Sequence, residues 1–108
     1  MQPDDIAVRD LSQQIVAAVH PLRIILFGSA ATGQSRAASD IDLLVVMPEG
    51  THRRRTAQLL YRTIHDTRVP FDLIVATPGD LERHRDNPGL IYYVIARQGR
   101  TIYDAATA

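Results

Sequence analysis

The chain has 108 residues, a hydrophobic fraction of 45% and a formal net charge of zero, values that fit one globular domain with a real core and exclude a disordered chain. It has no cysteine and no apolar run near the ~20 residues of a membrane helix, which excludes disulfides, thiolate metal sites and a helical span. All 12 basic residues are Arg, balanced by 12 acids; a Walker-A phosphate loop and a Schiff-base lysine are excluded, and general nucleic-acid binding is not expected.

The opening MQPDDIAVRD is acidic and lacks an apolar signal core, so the expectation is a cytoplasmic protein in which residues 1–108 form a single domain. Pro3-Asp4-Asp5 starts a helix, since acids in a first turn suit the helix dipole. Ile6, Leu11, Ile15 and Val19 carry it at near-helical spacing to His20-Pro21. Leu22–Phe27 (LRIILF) is a strand that ends at Gly28-Ser29, and the small polar residues 30–39 form a short helix or loop. Ile41–Met47 (IDLLVVM) is a second strand, apolar on both faces past Asp42 as a central strand would be. Arg53–Thr67 is a helix with Leu60 and Ile64 on one face, and Pro70–Thr77 (PFDLIVAT) is a third strand. Pro78-Gly79-Asp80 starts a short helix through Arg85. Leu90–Arg97 is another helix stopped by Gly99, and Thr101–Tyr103 forms a short last strand. The fold class is α/β (α+β): a small mixed sheet with flanking helices.

The chemistry sits where strands begin. Side chains alternate along a strand, so Asp40 and Asp42 share a face that Leu44 and Val46 continue. Asp72 repeats the pattern as a lone acid at the start of the third strand. If those strands are neighbours, three carboxylates converge at one sheet end. Two unit charges ~4 Å apart repel by about 4 kcal/mol at an effective dielectric of 20. Such a set takes up protons or a hard divalent cation, and Mg²⁺ is the usual one beside phosphates. Gly28-Ser29 lies between a strand and a short helix, where a glycine admits a phosphate to the backbone and a helix start favours an anion. Gly33 relaxes the same loop.

Gly28-Ser29, ten residues, then Asp40-Ile41-Asp42, with a later strand acid at Asp72, resembles the nucleotidyltransferase superfamily that includes DNA polymerase beta. The pattern is most similar to its minimal members, the MNT-type antitoxins found beside HEPN-type toxins. The tail DLIVATPGDLERHRDNPGLIYYVIARQGRTIYD also looks like this family, so the resemblance spans about residues 22–104. It implies the polymerase beta-like nucleotidyltransferase fold. It implies that Gly28, Ser29 and the Gly33 loop bind the triphosphate of ATP, that Asp40 and Asp42 ligate Mg²⁺, and that Asp72 ligates a second ion and helps deprotonate the acceptor. It implies transfer of AMP to a tyrosine of a cognate HEPN-type toxin. One departure stands out: many relatives carry Arg before the loop glycine, where this chain has Thr32, with Arg36 as a substitute.

The predicted elements use nearly the whole chain, leaving little for an acceptor pocket, which favours an acceptor on a partner macromolecule. A homo- or hetero-oligomer is compatible with this. Two other readings stand beside transfer to a toxin: an antitoxin that neutralises by binding alone, and transfer to a small molecule. Taken alone, Asp40-Ile41-Asp42 reads equally as a turn or cap before a strand, and the other reading of Asp72 is a strand-edge acid paired with an Arg. Arg53-Arg54-Arg55 reads as a solvated face, Tyr92-Tyr93 as packing, and the four histidines, lacking ligand spacing, as non-catalytic.

Overall fold

The computed structural model describes residues 3–28, 40–67 and 69–107, with side chains from Ile6 onward in the first helix. The elements run α1 (Pro3–Val19), β1 (Arg23–Phe27), β2 (Ile41–Val46), α2 (Arg53–Thr63), β3 (Phe71–Ala76), α3 (Pro78–His84), α4 (Ile91–Gln98) and β4 (Arg100–Asp104). The described strands form one mixed sheet in the order β3-β2-β1-β4. β1 pairs antiparallel with β2 and with β4, and β2 pairs parallel with β3. β2 is thus interior, as its two-sided apolar sequence demands.

Strand alternation divides the core into two layers. Ile24, Leu26, Ile41, Leu43, Val45, Leu73 and Val75 pack with Val8, Leu11 and Ile15 of α1 and Leu60 of α2. Ile25, Phe27, Leu44, Val46 and Ala76 face the other way and pack with Ile95 of α4, with Leu81 of α3 alongside. Helices therefore cover both faces, and each layer removes several large aliphatic side chains from water, roughly 1.5–3 kcal/mol apiece.

Two local features differ from the sequence expectation, and a third holds for a different physical reason. Ile6 is 59% exposed, and Val8 takes the inward position instead. At 3.6 residues per turn, Val8, Leu11 and Ile15 form one stripe, whereas Ile6 lies roughly 140° round the helix from Leu11. Helix α2 stops at Thr63, four residues early, and Ile64 turns extended and is buried. The Gln14 side chain of α1 holds the backbone there: its Nε2 donates to the His65 carbonyl at 2.9 Å and its Oε1 accepts from the His65 N–H at 3.1 Å. Those groups are thereby satisfied outside a helix, and Asp66 follows at φ 57°. Gly99 does stop α4, but with an ordinary φ of −70°. Its need is for space, since a Cβ would lie 2.5 Å from the Ile95 carbonyl and 2.7 Å from Ile25 Cγ2.

Candidate active site

Parallel pairing sets Asp42 opposite Asp72, and antiparallel pairing sets Phe27 opposite Asp42. Residues in register share a sheet face. The next row inward is Ile25–Leu44–Ile74, which is apolar. The acids thus form the last row of the face that α3 and α4 cover, at the end where β1 finishes and β2 and β3 begin. Asp40, exposed, immediately precedes β2 at this same end. Gly28 immediately follows β1 with φ 76°. A Cβ there would run into the Asp42 carboxylate. Two independent constraints, a left-handed backbone and close approach to Asp42, therefore require glycine.

The electrostatics mark Asp42 as the strained member. Burial, then the negative charge of Asp72, then that of Asp40 push its carboxyl above the usual carboxylate range. No cation of the fold is set against it among the described ion pairs. Among the described residues, no three His, Cys, Asp or Glu side chains are gathered closely enough to enclose a single ion. The donor chemistry nevertheless fits a hard divalent cation, because Asp42, Asp72 and the adjoining Asp40 all offer carboxylate oxygens and their mutual repulsion is what a cation relieves.

The other end of the parallel pair is built in the opposite way. Asp80 is only 3% exposed, yet every oxygen is satisfied. Arg53 Nη1 donates to both carboxylate oxygens at 2.8 Å, Arg83 Nη2 donates to Oδ1 at 2.7 Å, and the Thr77 N–H donates to Oδ2 at 3.0 Å. The Asp80 N–H donates back to the Thr77 hydroxyl at 3.3 Å, closing a capping box at the start of α3. Burial works to raise the Asp80 carboxyl, but the Thr77 N–H, the Arg53 guanidinium and the Thr77 hydroxyl outweigh it and hold it low. Glu49 adds a cap by accepting from the Gly79 N–H at 3.0 Å. This is a neutralised structural node, so Asp80 is no candidate for chemistry.

The remaining candidates sort accordingly. Gly28, Asp40, Asp42 and Asp72 are brought to one sheet end, whereas Ser29, Thr32, Gly33 and Arg36 lie outside the described residues. Arg53 is tied to Asp80, while Arg54 and Arg55 are solvent-exposed. Tyr92 stacks on His84 with centroids 5.7 Å apart, and Arg97 lies 3.7 Å over the Tyr93 ring. His52 caps α2 by accepting from the Arg55 N–H. Sequence reasoning did not single out Asp80 as an ion-pair centre, although Thr77-Pro78-Gly79-Asp80 is a capping-box signature. It also passed over Tyr61, whose partners on β3 leave no mark in its own neighbourhood of sequence.

Residues 10–108 match the sequence model of the family described as polymerase beta, nucleotidyltransferase; the chain belongs to that family. A solved protein from Sulfolobus solfataricus, described as a nucleotidyltransferase, superposes with a TM-score of 0.67 at 19% identity, over 95% of this chain and 82% of that one. A toxin–antitoxin crystallised with AMP-PNP superposes with a TM-score of 0.53 at 21% identity, over 98% of this chain and 77% of that one. At these identities the likeness is one of fold. No curated protein matches the chain.

Proposed function

We propose that this protein is a Mg²⁺-dependent nucleotidyltransferase that moves AMP from ATP to a tyrosine of a HEPN-type toxin and so acts as its antitoxin. The observation that carries the reading is the in-register pair of Asp42 and Asp72, with Asp40 and Gly28 at the same sheet end. Asp40 and Asp42 would hold one divalent ion and Asp72 would help hold a second. The chemistry such ions would supply is charge neutralisation at the triphosphate and at the attacking and leaving oxygens. Gly28 admits the phosphates close to the backbone, and the Ser29 hydroxyl and amide orient them, with Gly33 relaxing the loop. Asp72 accepts the tyrosine proton. The phenolic oxygen then forms its bond to the α-phosphorus, the bond from that phosphorus to the bridging oxygen breaks, and pyrophosphate leaves. A base on the strand next to the ion-binding pair fits this in-line displacement.

The family membership supports nucleotidyl transfer as the reaction class. The toxin–antitoxin neighbour, crystallised with an adenine nucleotide analogue, supports the antitoxin role and the choice of ATP. Incubating the chain with ATP, Mg²⁺ and the protein encoded beside it tests the reading by mass spectrometry. The expected result is an AMP adduct on a partner tyrosine that is absent with Asp40→Asn or Asp42→Asn. A stable complex without an adduct, neutralised equally well by the Asn variants, would replace the reading with a binding-only antitoxin. An adduct on a small acceptor with no partner present would replace it with a small-molecule transferase.

A further inference from the structure

Among the described strands β3 is an edge, with β2 on one backbone side and no described strand on the other. Pro70 and Ala76 turn their carbonyls inward, accepting from the Ile41 and Met47 N–H groups at 2.9 and 2.8 Å. By alternation the Leu73 N–H points to the free edge. The Tyr61 hydroxyl of α2 meets it there and accepts from it at 2.8 Å. The Tyr61 ring also stacks on Phe71, with centroids 5.7 Å apart and planes 11° from parallel. One side chain therefore grips the residues on both sides of Asp72, and neither contact touches the Asp72 carboxylate's own face.

Tyr61 is 47% exposed. A residue kept only for burial would not need its hydroxyl at this place. We propose that Tyr61 is a positioning residue for Asp72: by fixing the backbone at Phe71 and Leu73 it sets the distance and direction of the Asp72 carboxylate relative to Asp42. An edge strand lacks the second ladder that holds β2, so this clamp replaces it at the acid row. A displacement of about 1 Å at a reacting group can cost roughly 100-fold in rate. The inference rests on the reading of Asp72 as the proton acceptor.

The test compares Tyr61→Phe, which keeps the stack and loses the hydroxyl, with Tyr61→Leu, which loses both, and with Asp72→Asn. Transfer from labelled ATP to the partner protein is followed with Mg²⁺ present, and exchange of the Leu73 amide is followed by NMR on the protein alone. Tyr61→Phe is expected to lower kcat about tenfold with KM for ATP within about twofold, and Tyr61→Leu to lower kcat further. The Leu73 amide should exchange about fivefold faster in Tyr61→Phe while the melting temperature stays near wild type. Unchanged kcat in Tyr61→Phe, with Asp72→Asn inactive, would overturn the clamp and leave the function standing. Equal losses in kcat and in KM, or a kcat that falls only as folded protein is lost, would overturn it too. Full activity in Asp72→Asn would instead remove the reading on which it rests.

Discussion

Asp42 stands between two acids with its carboxyl pushed up by burial, Asp72 and Asp40, and the sign of its effect on stability follows. Because its folded pKa lies above its unfolded one, the folded state binds more protons between the two values. Its contribution is most favourable below the unfolded carboxylate range and is lost as pH rises through the folded value. Asp42→Asn should therefore be more stable than wild type at pH 7, with the gap closing as pH falls to about 3, checked by denaturant unfolding across pH. Under the proposed function the same variant should lose at least about 100-fold in transfer rate, as removal of a metal-ligating carboxylate would cost several kcal/mol of charge stabilisation. Gly28→Ala has the opposite character. It places a methyl against the Asp42 carboxylate at φ 76°, and should destabilise by roughly 1–2 kcal/mol in denaturant unfolding. That Asp40, Asp42 and Asp72 meet at one sheet end was legible because the pattern is local: acids at strand starts, next to apolar runs. Tyr61 was not, because its partners Phe71 and Leu73 are distant in sequence.

Helix ends and caps decide how the elements are held. Helix α1 ends with His20 at φ 49°, a left-handed position that glycine fills with less strain. His20→Gly should gain from a few tenths to about 1 kcal/mol, seen as a raised denaturation midpoint with unchanged slope. Asp80 joins α2 and α3 through Arg53 and Arg83. Its folded pKa is lowered, so its stabilisation is present above the ordinary carboxylate range and lost as pH falls through the folded value. Asp80→Asn should cost roughly 1–3 kcal/mol at pH 7, and the penalty should shrink in strong acid, as acid-titrated unfolding would show. The element order was legible because apolar periodicity and Pro/Gly punctuation survive in sequence. The early end of α2 was not, since it depends on Gln14, 51 residues from His65. Nor was the reason for Gly99, which is the closeness of Ile25 rather than a left-handed turn.

Over the whole molecule the parallel pair β2–β3 has two unlike ends. One is neutralised by arginines and caps around Asp80, and the other gathers Asp40, Asp42 and Asp72 beside Gly28 with no described cation to balance them. The buried Asp80 carboxylate is fully satisfied, whereas the half-buried Asp42 is left in repulsion, and under the proposed function that second carboxylate serves a ligand. In that proposal the ligand is a nucleotide with its cations, and the family membership supports the nucleotide. The measurement that tests this most directly is the melting temperature of wild type, Asp42→Asn and Asp72→Asn with Mg²⁺ and a non-hydrolysable ATP analogue, together and singly. Ligand at 100 times its Kd stabilises by about 2.7 kcal/mol, which in a domain of this size raises the melting temperature by on the order of 10 °C. The account predicts that rise for wild type only when ion and nucleotide are both present, and its loss in both variants. A rise that needs no ion, or one that both variants keep, would contradict it.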